Sequence, residues 1–268
     1  MQYEQAKEHI KKTINNMSGK YSKYNIFRDF IVLSACTISN SVDKVHFDER
    51  EKMYMDTIAN YSKEEADKFA EMLAMITIGF SGGKMGDFLG ELYMSMEFGN
   101  KHSGQFFTPY HLSKLTSQIL GVELDEDGIV TLNEPSVGSG GMVVAYAETM
   151  KSMDMNYQTQ LRVICNDIDY DVVKMCYIQL SLLGIDAVVM QGDTITLKMN
   201  ETWYTPMHIW NRIRKAKESE VNEANEKTER MYADMKRILE MESEETAETK
   251  EPQLVGIPGQ MSIFDYIE

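Results

Sequence analysis

No stretch of this 268-residue sequence approaches the roughly twenty consecutive apolar residues that a membrane-spanning helix needs. The best run, Phe30-Ile31-Val32-Leu33, lies in amphipathic surroundings. The opening Met1-Gln2-Tyr3-Glu4-Gln5 is polar and lacks the apolar core of a secretion signal, so a cytoplasmic location is expected. Cysteine is scarce: Cys36, Cys165 and Cys176 sit in apolar runs without paired spacing, which leaves no disulfide framework and no metal site to expect. Positive charge is short as well, with 27 Lys and Arg against 42 Asp and Glu and a net charge of −15. Non-specific duplex affinity comes mainly from neutralising phosphates with Lys and Arg, so the charge argues against a broad DNA-gripping surface on this chain alone. Proline is rare, and none of Pro109, Pro135, Pro206, Pro252 and Pro258 is adjacent to another or follows Asn, Asp or Ser.

What the chain does have is hydrophobic residue enough for a sizeable core, 43% of the total. The first hundred residues read as helices. Gln2 to Met17 places Tyr3, Ile10, Ile14 and Met17 on one face, and Asn25 to Ser39, His46 to Tyr61 and Lys63 to Phe80 follow. Ser62 with Glu65 makes a capping box for the last of these. Gly82-Gly83-Lys84 is no phosphate loop, because the preceding strand, the earlier glycine and the Ser or Thr after lysine are missing. A helix around Gly86 to Tyr93 and another from Tyr110 to Leu120 lead on, with Thr108 placed to cap the latter and Pro109 in its first turn.

The chain's organising stretch is Leu132-Asn-Glu-Pro-Ser-Val-Gly-Ser-Gly-Gly141, which closes the apolar run Ile129 to Leu132 and opens a helical one. Gly138, Gly140 and Gly141 allow positive φ and a close approach to a ligand, while the free N–H groups of the next helix face it. A bare glycine-rich surface turn is the alternative. About twenty residues on, Leu161 to Asn166 ends in Asp167-Ile168-Asp169, the separation at which a Rossmann-like unit places its ribose-binding acid. A helix from Tyr170 to Leu183, closed by Gly184, and a strand Ala187 to Met190 ending in Gly192-Asp193 complete a strand–helix–strand–helix–strand order. That order predicts a parallel sheet with its ligand at the strands' carboxyl ends.

Glu134-Pro135-Ser136-Val137-Gly138-Ser139-Gly140-Gly141 resembles the S-adenosylmethionine loop of adenine-N6 DNA methyltransferases. Gly104-Gln105-Phe106-Phe107-Thr108-Pro109 resembles the signature preceding that loop in modification subunits of type I restriction systems, and the resemblance covers roughly residues 24 to 195. It implies an α/β, Rossmann-like class I S-adenosylmethionine-dependent methyltransferase core, shortened, preceded by a helical bundle and followed by a long charged helix. The implied cofactor residues are Phe107, Thr108 and Pro109 over the methionine end, the loop residues Glu134, Ser136, Gly138, Gly140 and Gly141, the ribose and adenine pair Asp167 and Ile168, and Asp193 after the third strand. Phe106 and Phe107 read equally as core aromatics.

The family's catalytic signature, an Asn, Asp or Ser followed by two prolines and an aromatic residue, is absent. That signature makes the target amine more nucleophilic and stacks on the flipped base. The catalytic residues are therefore unknown. Asp193, Trp203 and Tyr204 are the remaining candidates, with the last two reading alternatively as a seal over an exposed sheet edge. Only three strands can be counted, or four with Ile195 to Met199.

Beyond the sheet, the basic cluster Arg212, Arg214, Lys215 and Lys217 could touch a nucleic-acid backbone or form a solvated helix face. Residues 218 to 251 hold 12 acids against 5 bases, a net of −7. From Glu218 to about Glu244, Val221, Ala224, Thr228, Met231, Met235 and Ile238 form a narrow coiled-coil-like stripe expected to pack on the bundle, a second copy or a partner. The tail Gln260-Met261-Ser262-Ile263-Phe264 is similar to peptides that dock on the bacterial sliding clamp, with Gln260, Met261, Ile263 and Phe264 as contacts; folding back on its own domain is the alternative.

The expected organisation is a helical domain over residues 1–100, a partial S-adenosylmethionine-binding domain over 101–210, a charged helix over 211–245 and a flexible tail over 246–268. Two functions follow. One is an adenine-N6 DNA methyltransferase or modification subunit that acts on DNA with a partner subunit. The other is a catalytically inactive accessory or regulatory protein of a phage or mobile element, for which the C-terminal peptide would serve as a tether to the sliding clamp.

Overall fold

The computed structural model describes residues 2–98 and 106–248. Four helices come first: α1 (Gln2–Met17), α2 (Lys23–Val42), α3 (Phe47–Ile58) and α4 (Lys63–Ser81). Their boundaries have local causes. Ser22 caps α2 by accepting from the Asn25 N–H, and at α4 both hydrogen bonds of the Ser62–Glu65 capping box form. α1 buries Tyr3, Ala6, Ile10, Ile14 and Met17, spaced three and four apart, so one apolar stripe faces the interior.

Two further helices lead to the sheet, α5 (Phe88–Ser95) and α6 (Tyr110–Leu120). Asp87 caps α5, accepting from the Gly90 N–H. The residue at the N-cap of α6 is Pro109, extended at φ −52° and ψ 132°, with no side-chain cap. Thr108 therefore lies one residue outside the position expected of it, because the proline ring already fixes the entry φ and needs no N–H there.

The α/β part runs β1 (Val130–Glu134), α7 (Gly141–Ser152), the short α8 (Tyr157–Gln160), β2 (Leu161–Asp167), α9 (Tyr170–Leu182), β3 (Asp186–Asp193) and β4 (Lys198–Tyr204). The sheet order is β1-β2-β3-β4. The first three strands are parallel, as the alternating pattern predicts, and β4 returns antiparallel on β3 with an irregularity at Gln191/Gly192. The fold is the Rossmann-like α/β core with preceding helices and a long following helix. The fourth strand lies later than Ile195 to Met199. Asp193 accepts from the N–H groups of Ile195 and Thr196, turning the chain, and Leu197 takes φ 57°. Ile195 and Leu197 are consequently exposed, and pairing resumes at Lys198.

One continuous core joins helices and sheet. α9 packs on β2 and β3, and α2 lies against α9. Three polar ties reinforce the contact: Tyr24 donates to Asp171 at 3.2 Å, Arg28 pairs with Asp171 at 3.4 Å, and Arg50 of α3 pairs with Glu201 of β4. Arg50 is 1% exposed and its guanidinium lies 3.5 Å from the centre of the Trp203 ring, while Lys174 reaches Glu201 at 3.5 Å. All three cysteines are free and buried.

The described residues divide into two compact units, with the second beginning at Arg214. The last helix, α10, runs unbroken from Pro206 to Glu248, so it takes in the basic cluster and starts earlier than the charge pattern alone indicates. Pro206 suits the first helical turn, where its missing N–H costs nothing. Within the second unit Glu226 and Arg230 pair at 3.4 Å, and Val221, Met231 and Met235 are exposed. No helix among the described residues is long and apolar enough to cross a membrane, and no described group of His, Cys, Asp and Glu could hold a metal ion.

Candidate functional site

At the carboxyl ends of β1 and β2 the chain folds around a cavity of about 440 Å³, within the range of about 300–1,000 Å³ usual for small-molecule sites. β1 ends at Glu134, and the turn that follows is fixed by a few directional bonds. The Ser136 N–H donates to Glu134 Oε1 at 3.1 Å, and the Val137 N–H crosses to the Asn166 carbonyl at 3.0 Å. Gly138 and Gly140 sit at φ 54° and 99°, in the left-handed region that favours glycine, and Gly140 is the N-cap of α7. The turn thus presents the start of α7 to the cavity.

β2 carries the second wall. Asp167 Oδ2 accepts from the Gly138 N–H at 2.9 Å and Oδ1 from the Asp169 N–H at 3.1 Å, so the carboxylate ties the two strand ends together. An ionised carboxylate has about four acceptor positions, which leaves two for a ligand. Ile168, held by its carbonyl to Gln191 Nε2 at 2.6 Å, leaves its apolar side chain 67% exposed at the rim.

The third wall is Asp87, which arrives from the start of α5, far away in sequence. Asp87 is 3% exposed, and its carboxyl group accepts from three donors: Ser139 Oγ at 2.6 Å, Gln179 Nε2 at 2.9 Å and the Gly90 N–H at 3.0 Å. Gln179 also donates from Nε2 to the Ser139 carbonyl at 2.6 Å and accepts the Leu89 N–H at 2.9 Å, which fixes its amide orientation. Burial raises the Asp87 pKa above the usual carboxylate value, opposed by the bonds from Ser139, Gln179 and Gly90, while neighbouring Glu91 adds to the rise.

Of the residues singled out in the sequence, Phe107, Thr108, Glu134, Ser136, Gly138, Gly141, Asp167 and Ile168 line this cavity together. Pro109, Gly140 and Asp193 do not: Pro109 and Gly140 are the N-caps of α6 and α7, and Asp193 caps the turn before β4, where the Ile195 and Thr196 N–H groups lower its pKa. Trp203 and Tyr204 lie on β4 away from the cavity. Trp203 is 1% exposed between Arg50 and Tyr177, and Tyr204 stacks on His208. Gly104, Gln105 and the tail contacts Gln260, Met261, Ile263 and Phe264 fall outside the described residues. Sequence reasoning missed Asp87, Ser113, Ser139, Met142 and Val172 as cavity walls; the only signal for Asp87 was its place in the stretch Gly86 to Tyr93, read as a helix leading to the sheet.

The model of the N-6 DNA Methylase family matches residues 84–244, more than half of the chain and the whole of this cavity's described lining. The chain belongs to the N-6 DNA methylase family. Among solved structures, the chain is similar to the methyltransferase subunit of a type I restriction-modification system from Streptococcus thermophilus, with 19% identity, a TM-score of 0.39 and coverage of 68% of this chain and 42% of that one. It is also similar to a protein from Listeria monocytogenes assigned as a class I S-adenosylmethionine-dependent methyltransferase, at 14% identity and a TM-score of 0.35, covering 65% of this chain and 55% of that one. A modification subunit assigned to a type I restriction enzyme of Vibrio vulnificus YJ016 gives 14% identity and a TM-score of 0.32, with 56% and 28% covered. The chain thus spans less than half of the Streptococcus subunit. No curated protein matches the sequence.

Proposed function

We propose that this member of the N-6 DNA methylase family binds S-adenosylmethionine in the cavity between the glycine turn and Asp167, and acts on DNA together with a partner chain. The observation that carries the cofactor reading is the charge of the walls. Asp87, Glu134 and Asp167 are the ionisable residues among the described lining, and no Lys, Arg or His joins them. A glycine turn at a helix start would otherwise suit a phosphate, but acids with no basic residue in the described lining disfavour a dinucleotide or nucleoside triphosphate. A nucleoside bearing a positive sulfur fits that field.

The donor set fits the rest of such a ligand. Asp167 has acceptor capacity left for two ribose hydroxyls, Ile168 offers an apolar face to a base, and Phe107 and Thr108 close the remaining side. When bound, the cofactor would supply a methyl group on a positively charged sulfur. The chain's own residues hold that ligand and shut water from part of it.

The partner reading rests on the absent catalytic signature and on the shortage of positive charge. With no paired prolines after Asn, Asp or Ser and a net charge of −15, the chain lacks both the acceptor-base pocket and a broad phosphate-binding surface. A second chain would supply both. The same gap favours the alternative, a cofactor-binding accessory protein without catalysis of its own.

Calorimetric titration with S-adenosylmethionine tests the first step; no heat and no thermal shift would remove the cofactor from both readings. Tritiated-methyl transfer to mixed bacterial DNA, with and without bacterial lysate, then separates them. Incorporation only with lysate supports the partnered enzyme, incorporation by the chain alone refutes the incomplete site, and none in either arm leaves the accessory reading standing.

A further inference from the structure

We propose that α10, from Arg214 onward, is a self-association surface that pairs with the same helix of a second copy of this chain, in antiparallel orientation. The pairing needs no ligand in the cavity. Every residue from Arg214 to Arg237 whose side chain is described is exposed, including Val221 at 57%, Met231 at 56%, Tyr232 at 64% and Met235 at 50%. A helix in water gains most of its stability by burying an apolar face. The ion pairs along this one, Arg214 with Glu218 and Glu226 with Arg230, are exposed at 3.4 Å and contribute little in its place. Val221, Ala224, Thr228, Met231, Met235 and Ile238 recur at alternating intervals of three and four, the spacing of a two-stranded seam.

What covers that seam is decided by charge, which changes sign in blocks along the helix. The segment opens on three bases over 214–217 and turns to four acids without a base over 218–226. It then holds four bases against two acids over 227–237, and ends on five acids without a base over 238–248. A parallel second copy sets every block against its like, most severely the five closing acids. An antiparallel copy centred between Glu229 and Arg230 sets position 221 against 238 and 224 against 235, so the seam closes on itself. The same register lays Arg214, Lys215 and Lys217 beside the acids at 242–245, and the acids of 218–226 at the height of Lys236 and Arg237. A nucleic-acid backbone would suit the opening bases, but the acid blocks repel it and it leaves the apolar stripe bare. With Ala and Thr at two of six seam positions the stripe is thin, so the pair forms reversibly.

Sedimentation equilibrium of the full chain tests this. The mass should climb from 30.8 kDa toward twice that value as concentration rises. Association should be about tenfold weaker in about 1 M salt than in about 0.1 M, because the screening length falls from about 10 Å to about 3 Å. Met231→Asp with Met235→Asp puts charge into the seam and should leave the chain monomeric. Reversing the opening block with Arg214→Glu, Lys215→Glu and Lys217→Glu should weaken association by about tenfold. Adding Glu242→Lys, Glu244→Lys and Glu245→Lys to the same chain should restore it. In a parallel pair both sets of changes leave like charge against like, so equal dissociation constants for wild type and both charge variants overturn the proposal. Association that survives the two aspartates, or that salt leaves unchanged, overturns it too. So does a dimer that forms only on added duplex DNA, which would give the basic block to nucleic acid. Should a variant not fold, the wild type decides by itself: a mass fixed at 30.8 kDa at every concentration ends the proposal.

Discussion

The acids at β4 and those at the carboxyl ends of β1 and β2 are treated in opposite ways. On β4, Glu201 is covered by Arg50 and Lys174, and the Arg50 guanidinium is in turn laid over Trp203. At the other end, Glu134 and Asp167 face a cavity with no basic residue in its described lining, and Asp87 behind them is bonded only by neutral donors. Where an acid is matched by a cation of the same chain, its charge is already used in holding the fold together. Where it is left unmatched beside a cavity, its charge is available to a ligand. The contrast makes separable demands: changes at the paired edge should act on stability, and changes at the unpaired end on affinity.

The largest effect expected is at the paired edge. Arg50→Ala leaves Glu201 buried with only Lys174 near it and should cost about 3–5 kcal/mol of unfolding free energy, read as a fall in the urea midpoint, while the folded fraction binds S-adenosylmethionine as wild type does. A loss of affinity in the folded fraction would break the comparison. Gly140→Ala attacks the other end through the backbone. A residue with a Cβ at φ 99°, 3.2 Å from Cys176 Sγ, should cost about 1–3 kcal/mol of strain and reduce binding, because the turn must shift. Asp167→Ala should weaken S-adenosylmethionine by more than about tenfold, roughly 1.4 kcal/mol or above, measured by calorimetry. Smallest, Ser62→Ala breaks the capping box of α4 and should cost about 1 kcal/mol with no change in affinity, so that a loss of binding there would show the two ends to be coupled.

The features legible in the sequence were those carried by neighbours in the chain. The apolar run Leu161 to Asn166, the glycines at 138 and 140 and the three-and-four spacing in α1 and α9 are local, and strands, turn and helices formed where they point. Reading failed where a distant contact or a capping side chain decided the outcome. Ile195 to Met199 looks like a strand, but the Asp193 carboxylate captures two of its N–H groups and bends it away, and the strand that forms begins at Lys198 with mostly polar residues around the single deeply buried Trp203. Asp87 escaped notice as a cavity wall because Ser139 and Gln179, which place it there, lie 52 and 92 residues further along. α10 was read as starting late because Met207, Ile209 and Trp210 hide the onset of its charged pattern.

The hold of α3 on the far strand has a practical corollary for anyone dissecting this chain. A fragment beginning near residue 84, where the family match starts, would carry the whole described cavity lining yet leave Trp203 bare and Glu201 without its guanidinium. Such a fragment should be recovered aggregated, and the first four helices are better regarded as a permanent splint for the sheet than as a module that can be cut away.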